Sequence, residues 1–200
     1  IKEKQNLLSA VNDARAEKLL AISEILSDLN CDNKELKEAL DAGQKASDSL
    51  HNVKSNLKTA TNWGVVDLLG GGLLSALAKH SQIDVAKKHA HRAQEHLRRF
   101  QEELVDADQR LQLALDLSGF SQFADFFLDG LIFDWIVQSK INQASSACDS
   151  AISQVSAALN ECQRRLAETE QEIRKTTRSY LLLYLGGWNV NKKTRSHRGS

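Results

Sequence analysis

Asp67, His80 and Asp84 are the side chains with the clearest capacity for chemistry in this 200-residue sequence. Two carboxylates and an imidazole make a donor set for a divalent metal ion. His80 and Asp84 are four residues apart and share a face if they lie on a helix. Asp67 lies across Gly70-Gly71-Gly72, and a chain folded back at those glycines would bring it to the same ion. The competing reading has the aspartates capping short helices and His80 packing beside Trp63. That packing role is the reading adopted here, so no metal and no cofactor are expected. The three glycines have the composition of a phosphate cradle, which needs a strand before it and commonly a Lys-Ser/Thr pair at the helix that follows. Val65–Leu69 is short and no such pair follows, so a tight helix-to-helix turn is the better reading.

His89, His91 and His96 offer no chelating pair. His89 and His91 point about 200° apart on a helix, and His89 and His96 lie two turns apart. With Lys87, Lys88 and Arg92 they read as a solvated, modestly basic face. No spacing sets a nucleophile beside its base, and no aromatic-basic platform suggests RNA stacking. Cys31, Cys148 and Cys162 are odd in number and have no CxxC spacing. On one helix, Cys148 and Cys162 would be about 21 Å apart, beyond disulfide reach. They read as core-facing thiols of a reducing compartment.

The elements that must position these groups are helices. The chain has no proline, where average usage would give about ten, and proline is what long helices tolerate least. Apolar residues step by three and four along several stretches. One runs Ile83, Ala86, Ala90, Ala93, Leu97, Phe100, Leu104, Ala107, Leu111, Ala114. A second runs Leu36, Ala39, Gly43, Ala46, Leu50, Val53, Leu57, Ala60, and a third Ile141, Ala144, Cys148, Ile152, Val155, Leu159, Cys162, Leu166, Ile173. Leu8, Val11, Leu19, Ile22, Leu26 and Leu29 fit more loosely. A 3.5-residue repeat keeps one stripe against a partner helix. The expected fold is all-α: an elongated antiparallel helical bundle or coiled coil, with helices over about 3–30, 34–61, 82–117 and 140–182.

Breaks are expected at Asn30–Asn33, at Asn62-Trp63-Gly64, at Gly70–Gly72, at Ser118-Gly119 and at Gly186-Gly187. Ser81 and Asp84 resemble a capping box opening the third helix, and Ser139 can cap the last. Two short glycine-containing apolar corners, 63–80 and 120–138, complete a single domain over 1–185, followed by a flexible basic tail over 186–200. Offset by 58 residues, the corners match at Asp67/Asp125, Gly72/Gly130, Ser81/Ser139 and Ile83/Ile141, with Leu77 opposite Trp135. The second copy sets Gln138 and Asn142 where the first has His80 and Asp84, and so lacks the imidazole. An internal repeat favours a structural role for the corner residues Trp63, Gly70, Gly71, Gly72, Ser81, Asp125, Gly130, Trp135 and Ser139.

Asn62-Trp63-Gly64-Val65-Val66-Asp67-Leu68-Leu69-Gly70-Gly71-Gly72, followed by Ala78-Lys79-His80-Ser81 and Asp84, resembles a signature of uncharacterised bacterial helical proteins. Phe123–Gly130 and Asp134-Trp135 look similar to their second corner. The resemblance covers roughly residues 60–170. It implies an all-helical fold and carries no activity.

Charge bounds the partners. The chain holds 26 basic and 26 acidic residues, which argues against a globally basic nucleic-acid binder. No charge-free window approaches the 18 residues of a membrane span, and Ile1 opens directly into the charged run Ile-Lys-Glu-Lys, so no secretory leader is read and a cytoplasmic setting is expected. From Ile173 onward the charges are all basic (Arg174, Lys175, Arg178, Lys192, Lys193, Arg195, Arg198) around the apolar segment Tyr180–Trp188. Such a segment packs on a bundle end, docks a partner or lies on an anionic membrane. The expected function is a non-enzymatic interaction or scaffold protein that binds another protein or a second copy of itself through its heptad faces. The alternative is a membrane-associating protein using the apolar corner 120–137 and the basic C-terminus.

Overall fold

A computed structural model describes residues 2–68, 72–113, 116, 119–121, 124 and 141–196, with side chains chiefly within 10–59, 84–113 and 142–185. The protein is all-α and forms a helical bundle; no strand occurs among the described residues. Its long helices are α1 (Lys2–Leu68), α2 (Gly72–Leu111) and α3 (Ile141–Ser196).

Several expected breaks do not interrupt the helices. α1 runs through Asn30–Asn33 and through Asn62-Trp63-Gly64 without a stop. Asparagine favours a cap only when its side chain takes a backbone N–H. Here Asn30 Nδ2 donates back to the Leu26 carbonyl at 2.6 Å, and Asn56 does the same to Asn52 at 2.7 Å, which leaves the helix intact. Ser81 lies inside α2, which starts ten residues earlier than expected, at Gly72. Leu73, Leu74, Ala76, Leu77 and Ala78 are strong helix formers, and they outweigh one capping serine. Gly186-Gly187 does not end α3, whose backbone stays helical to Ser196 where a flexible tail is expected.

α2 stops at Leu111, six residues before the expected end. Gln112 has φ 48°, the left-handed conformation that closes helices. Asp108 secures the turn twice: its carbonyl accepts the Gln112 N–H at 2.8 Å and its Oδ1 accepts the Leu113 N–H at 2.7 Å. Asp116 then caps the short helical turn that follows, its Oδ1 accepting from Gly119 N and its carbonyl from Phe120 N, both at 2.9 Å. A side chain on Gly119 would meet the Asp116 carboxylate at 2.5 Å, so this glycine makes room for the cap.

The chain divides into two compact units, Glu35–Arg165 and Ile1–Lys34 with Leu166–Ser200, where a single domain over 1–185 is the expectation. In the first, Gly43 of α1 approaches Phe100 of α2 and Leu159 of α3, and Ser49 of α1 meets His96 of α2. Lys54 of α1 pairs with Asp149 of α3. Rising numbers in α1 therefore meet falling numbers in both partners, so α1 is antiparallel to each, and α2 and α3 are mutually parallel.

The core of this unit follows the three-four rhythm. Leu36, Ala39, Ala46, Leu50, Val53 and Leu57 of α1 are fully buried, as are Ala90, Ala93, Leu97, Phe100, Leu104 and Ala107 of α2. On α3 the buried stripe is Ala144, Cys148, Ala151, Val155, Ala158, Cys162. It is rotated from the expected one, with Ile152 and Leu159 half-buried on its flank. Alanine at the centre lets the α3 backbone come close, and the larger side chains fill the sides. Phe120 folds onto this core edge-to-face with Phe100, centroids 5.5 Å apart.

Candidate functional site

The metal reading gains no support at its one described side chain. Asp84 is exposed and pairs with Lys87 at 3.5 Å. Asp67 and His80 lie on α1 and α2 respectively, and their side chains fall outside the described ones, as does that of Trp63. Gly72 is the first residue of α2. Gly70, Gly71, Asp125, Gly130, Trp135, Gln138 and Ser139 lie outside the described residues, and Asn142 is exposed on α3.

Two polar groupings escaped the sequence. Glu35, Glu38 and Glu103 bring carboxylate oxygens within 4.8 Å of one another, and Glu103 already pairs with Arg99 at 3.2 Å. Glu35 and Glu38 are three apart on α1, but Glu103 is 65 positions or more away in number, so only the α1–α2 register brings it to them. His96 Nδ1 lies 3.2 Å from the Lys45 carbonyl and 2.7 Å from Ser49 Oγ. A carbonyl only accepts, so the ring donates its Nδ1 proton there. This ties α2 to α1 and makes His96 a packing residue. His89 is half-buried and His91 exposed.

The thiols separate by environment. Cys148 and Cys162 are buried and free, and burial pushes them up to about 12 and about 11 from an ordinary 9.0. The neighbouring carboxylates of Asp149 and Glu161 add to this. Buried thiols held protonated so firmly are poor nucleophiles at neutral pH. Cys31 corrects the expectation of three core-facing thiols: it is exposed on α1.

The surface with most to offer is on the second unit. There α1 presents Arg15, Leu19, Ile22, Leu26 and Leu29 half-buried, and α3 presents Leu166, Thr169, Ile173, Thr176, Tyr180 and Leu183. Both stripes alternate by three and four. Arg15 seals the pair by donating to the carbonyls of Leu183 and of Tyr184, the latter at 2.7 Å. Thr169 is the only buried side chain described in this unit, and none of its described apolar side chains is buried. Meanwhile Val11 is 62% exposed, Leu20 63% and Ile25 51% on α1. On α3, Leu181 is 49%, Leu182 65%, Tyr184 54% and Leu185 56% exposed.

Val11, Ala14, Lys18, Ala21 and Ile25 step by three and four, so they form a second, exposed stripe beside the half-buried one. The loose N-terminal heptad already held this signal, because Val11 belongs to the outer stripe and spoils the inner one. Leu20 stands alone on the opposite flank. In the aromatic segment before Gly186, Leu181, Leu182, Tyr184 and Leu185 are exposed while Tyr180 and Leu183 are half-buried, and Tyr180 and Tyr184 stack at 6.3 Å. Next to it, Arg174, Lys175 and Arg178 are exposed. No helix is long and apolar enough to cross a membrane among the described residues. Compared with known protein families, curated proteins and solved structures, the chain has no match.

Proposed function

We propose that this is a non-enzymatic assembly protein of coiled-coil type. The bundle Glu35–Arg165 is its stable body, and the α1–α3 pair of the other unit is the surface that takes helices from another polypeptide. One observation carries the reading: that pair leaves large apolar side chains half or more exposed while burying none of those described. Two helices alone bury too little to hold an ordered state, and patches of this kind mark interaction sites. Three unpaired thiols suit a reducing, cytoplasmic setting.

A photo-reactive amino acid placed at Ile25 or Leu182 tests it. Cross-links to another polypeptide chain are expected from both, and none from the same group at Lys58, which is exposed on the bundle. Equal labelling from all three positions, or none, would overturn the assignment. The cations beside Leu181–Leu185 favour a second reading, contact with an anionic membrane surface. Cross-linking from Leu182 to lipid would select it.

A further inference from the structure

We infer that the exposed face of the α1–α3 pair is covered by the same face of a second copy of this chain, with α1 of one copy against α3 of the other. This rests on the assembly reading above and adds the occupant. Charge points to it. Over 13–25 the exposed charges of α1 are Asp13, Glu17 and Glu24 against Lys18 alone, whereas α3 over 173–185, the stretch level with it, exposes Arg174, Lys175 and Arg178 and contains no acid.

The levels also agree. The Arg15 bond to Leu183 sets those two residues at one height. At equal rise per residue in antiparallel helices, Glu24 is then level with Arg174, and Glu17 with Leu181. A two-fold axis along the helices preserves heights and makes both α1–α3 contacts equivalent. Each contact sets Glu24 level with Arg174 of the other copy and Ala14 level with its Tyr184. Pairing α1 with α1 would instead oppose like charges. Arg174 and Lys175 reach Glu170 and Glu172 of their own helix at 3.9 and 3.3 Å, exposed contacts that exchange readily. Six side chains (Val11, Ile25, Leu181, Leu182, Tyr184, Leu185) are roughly half exposed or more.

Sedimentation equilibrium of the full chain over about 1 to 100 µM, at about 0.05 and 0.5 M salt, tests the inference. The expected result is a monomer–dimer equilibrium whose dissociation constant rises about tenfold at the higher salt. Glu17→Lys with Glu24→Lys, and separately Arg174→Glu with Arg178→Glu, should each give monomers that form a dimer when mixed. A wild-type chain monomeric throughout would overturn the second-copy proposal, and so would a dimer strengthened by salt. A monomer that co-sediments with vesicles of anionic lipid would also overturn it and assign the face to lipid. A monomer without lipid binding, or a dimer strengthened by salt, leaves the assembly reading standing; the lipid outcome counts against both, and the cross-linking result above decides the assembly reading by itself.

Discussion

Gly43 shows how much one missing methyl group decides. A Cβ there would lie 2.7 Å from both Leu159 Cδ2 and Phe100 Cε2. Leu159 has room to turn; the ring of Phe100, fully buried, does not. Gly43→Ala should therefore cost about 1–3 kcal/mol despite the better helix propensity of alanine. Phe100→Leu in the same chain should recover part of that loss, a coupling that denaturant titrations of the single and double variants measure. The buried thiols give a second expectation. Cys148 and Cys162 keep their protons to about 12 and about 11 when folded, whereas an ordinary thiol loses its proton near 9.0. The folded state then binds more protons than the unfolded one above about pH 9, so stability falls as pH rises through that window. Cys148→Ala should make the fall shallower than in wild type, read as chemical-denaturation midpoints between about pH 8 and 11. At neutral pH a thiol reagent should modify Cys31 promptly and the other two only on unfolding.

At the scale of elements, α2 ends because Gln112 takes φ 48°, a conformation that costs a non-glycine residue about 1 kcal/mol. Gln112→Gly should raise stability by about 0.5–1 kcal/mol, visible as a higher denaturation midpoint with an unchanged slope. Helix type and core faces were legible beforehand at Leu36–Leu57 and Ala90–Ala107, because a period of three and four has one structural solution when polar residues occupy the rest. Ends were not. Asn30–Asn33 and Ser81 carry capping side chains, yet whether such a residue caps or sits mid-helix depends on where its oxygen or amide finds a partner. At Asn30 that partner is the Leu26 carbonyl. The α3 stripe was misread by one position at Ile152 and Leu159 because alanine is weakly apolar. Isoleucine and leucine dominate the apolar pattern by size, while close backbone approach puts Ala151 and Ala158 at the centre. The outer stripe Val11–Ile25 was present in the same letters. Periodicity names a face without saying whether anything covers it.

At the scale of the whole molecule, the two units differ in what they can hold by themselves. Glu35–Arg165 has Phe100, Leu97, Leu50 and Val155 fully buried, whereas the other unit buries no described apolar side chain. Removing apolar surface from the second should therefore leave the first undisturbed. Leu181→Ser with Leu182→Ser should keep the main thermal transition within about 2 °C, since surface changes cost within about 0.5 kcal/mol. The same variant should abolish concentration-dependent association. The most direct test is amide hydrogen exchange followed across protein concentration. Amides of 36–57, 90–107 and 144–162 should be protected at every concentration, while those of 15–33 and 166–185 gain protection only as concentration rises or a partner is added. Equal protection of both sets at the lowest concentration would contradict the account, because the α1–α3 pair would then be stable with its apolar face in water.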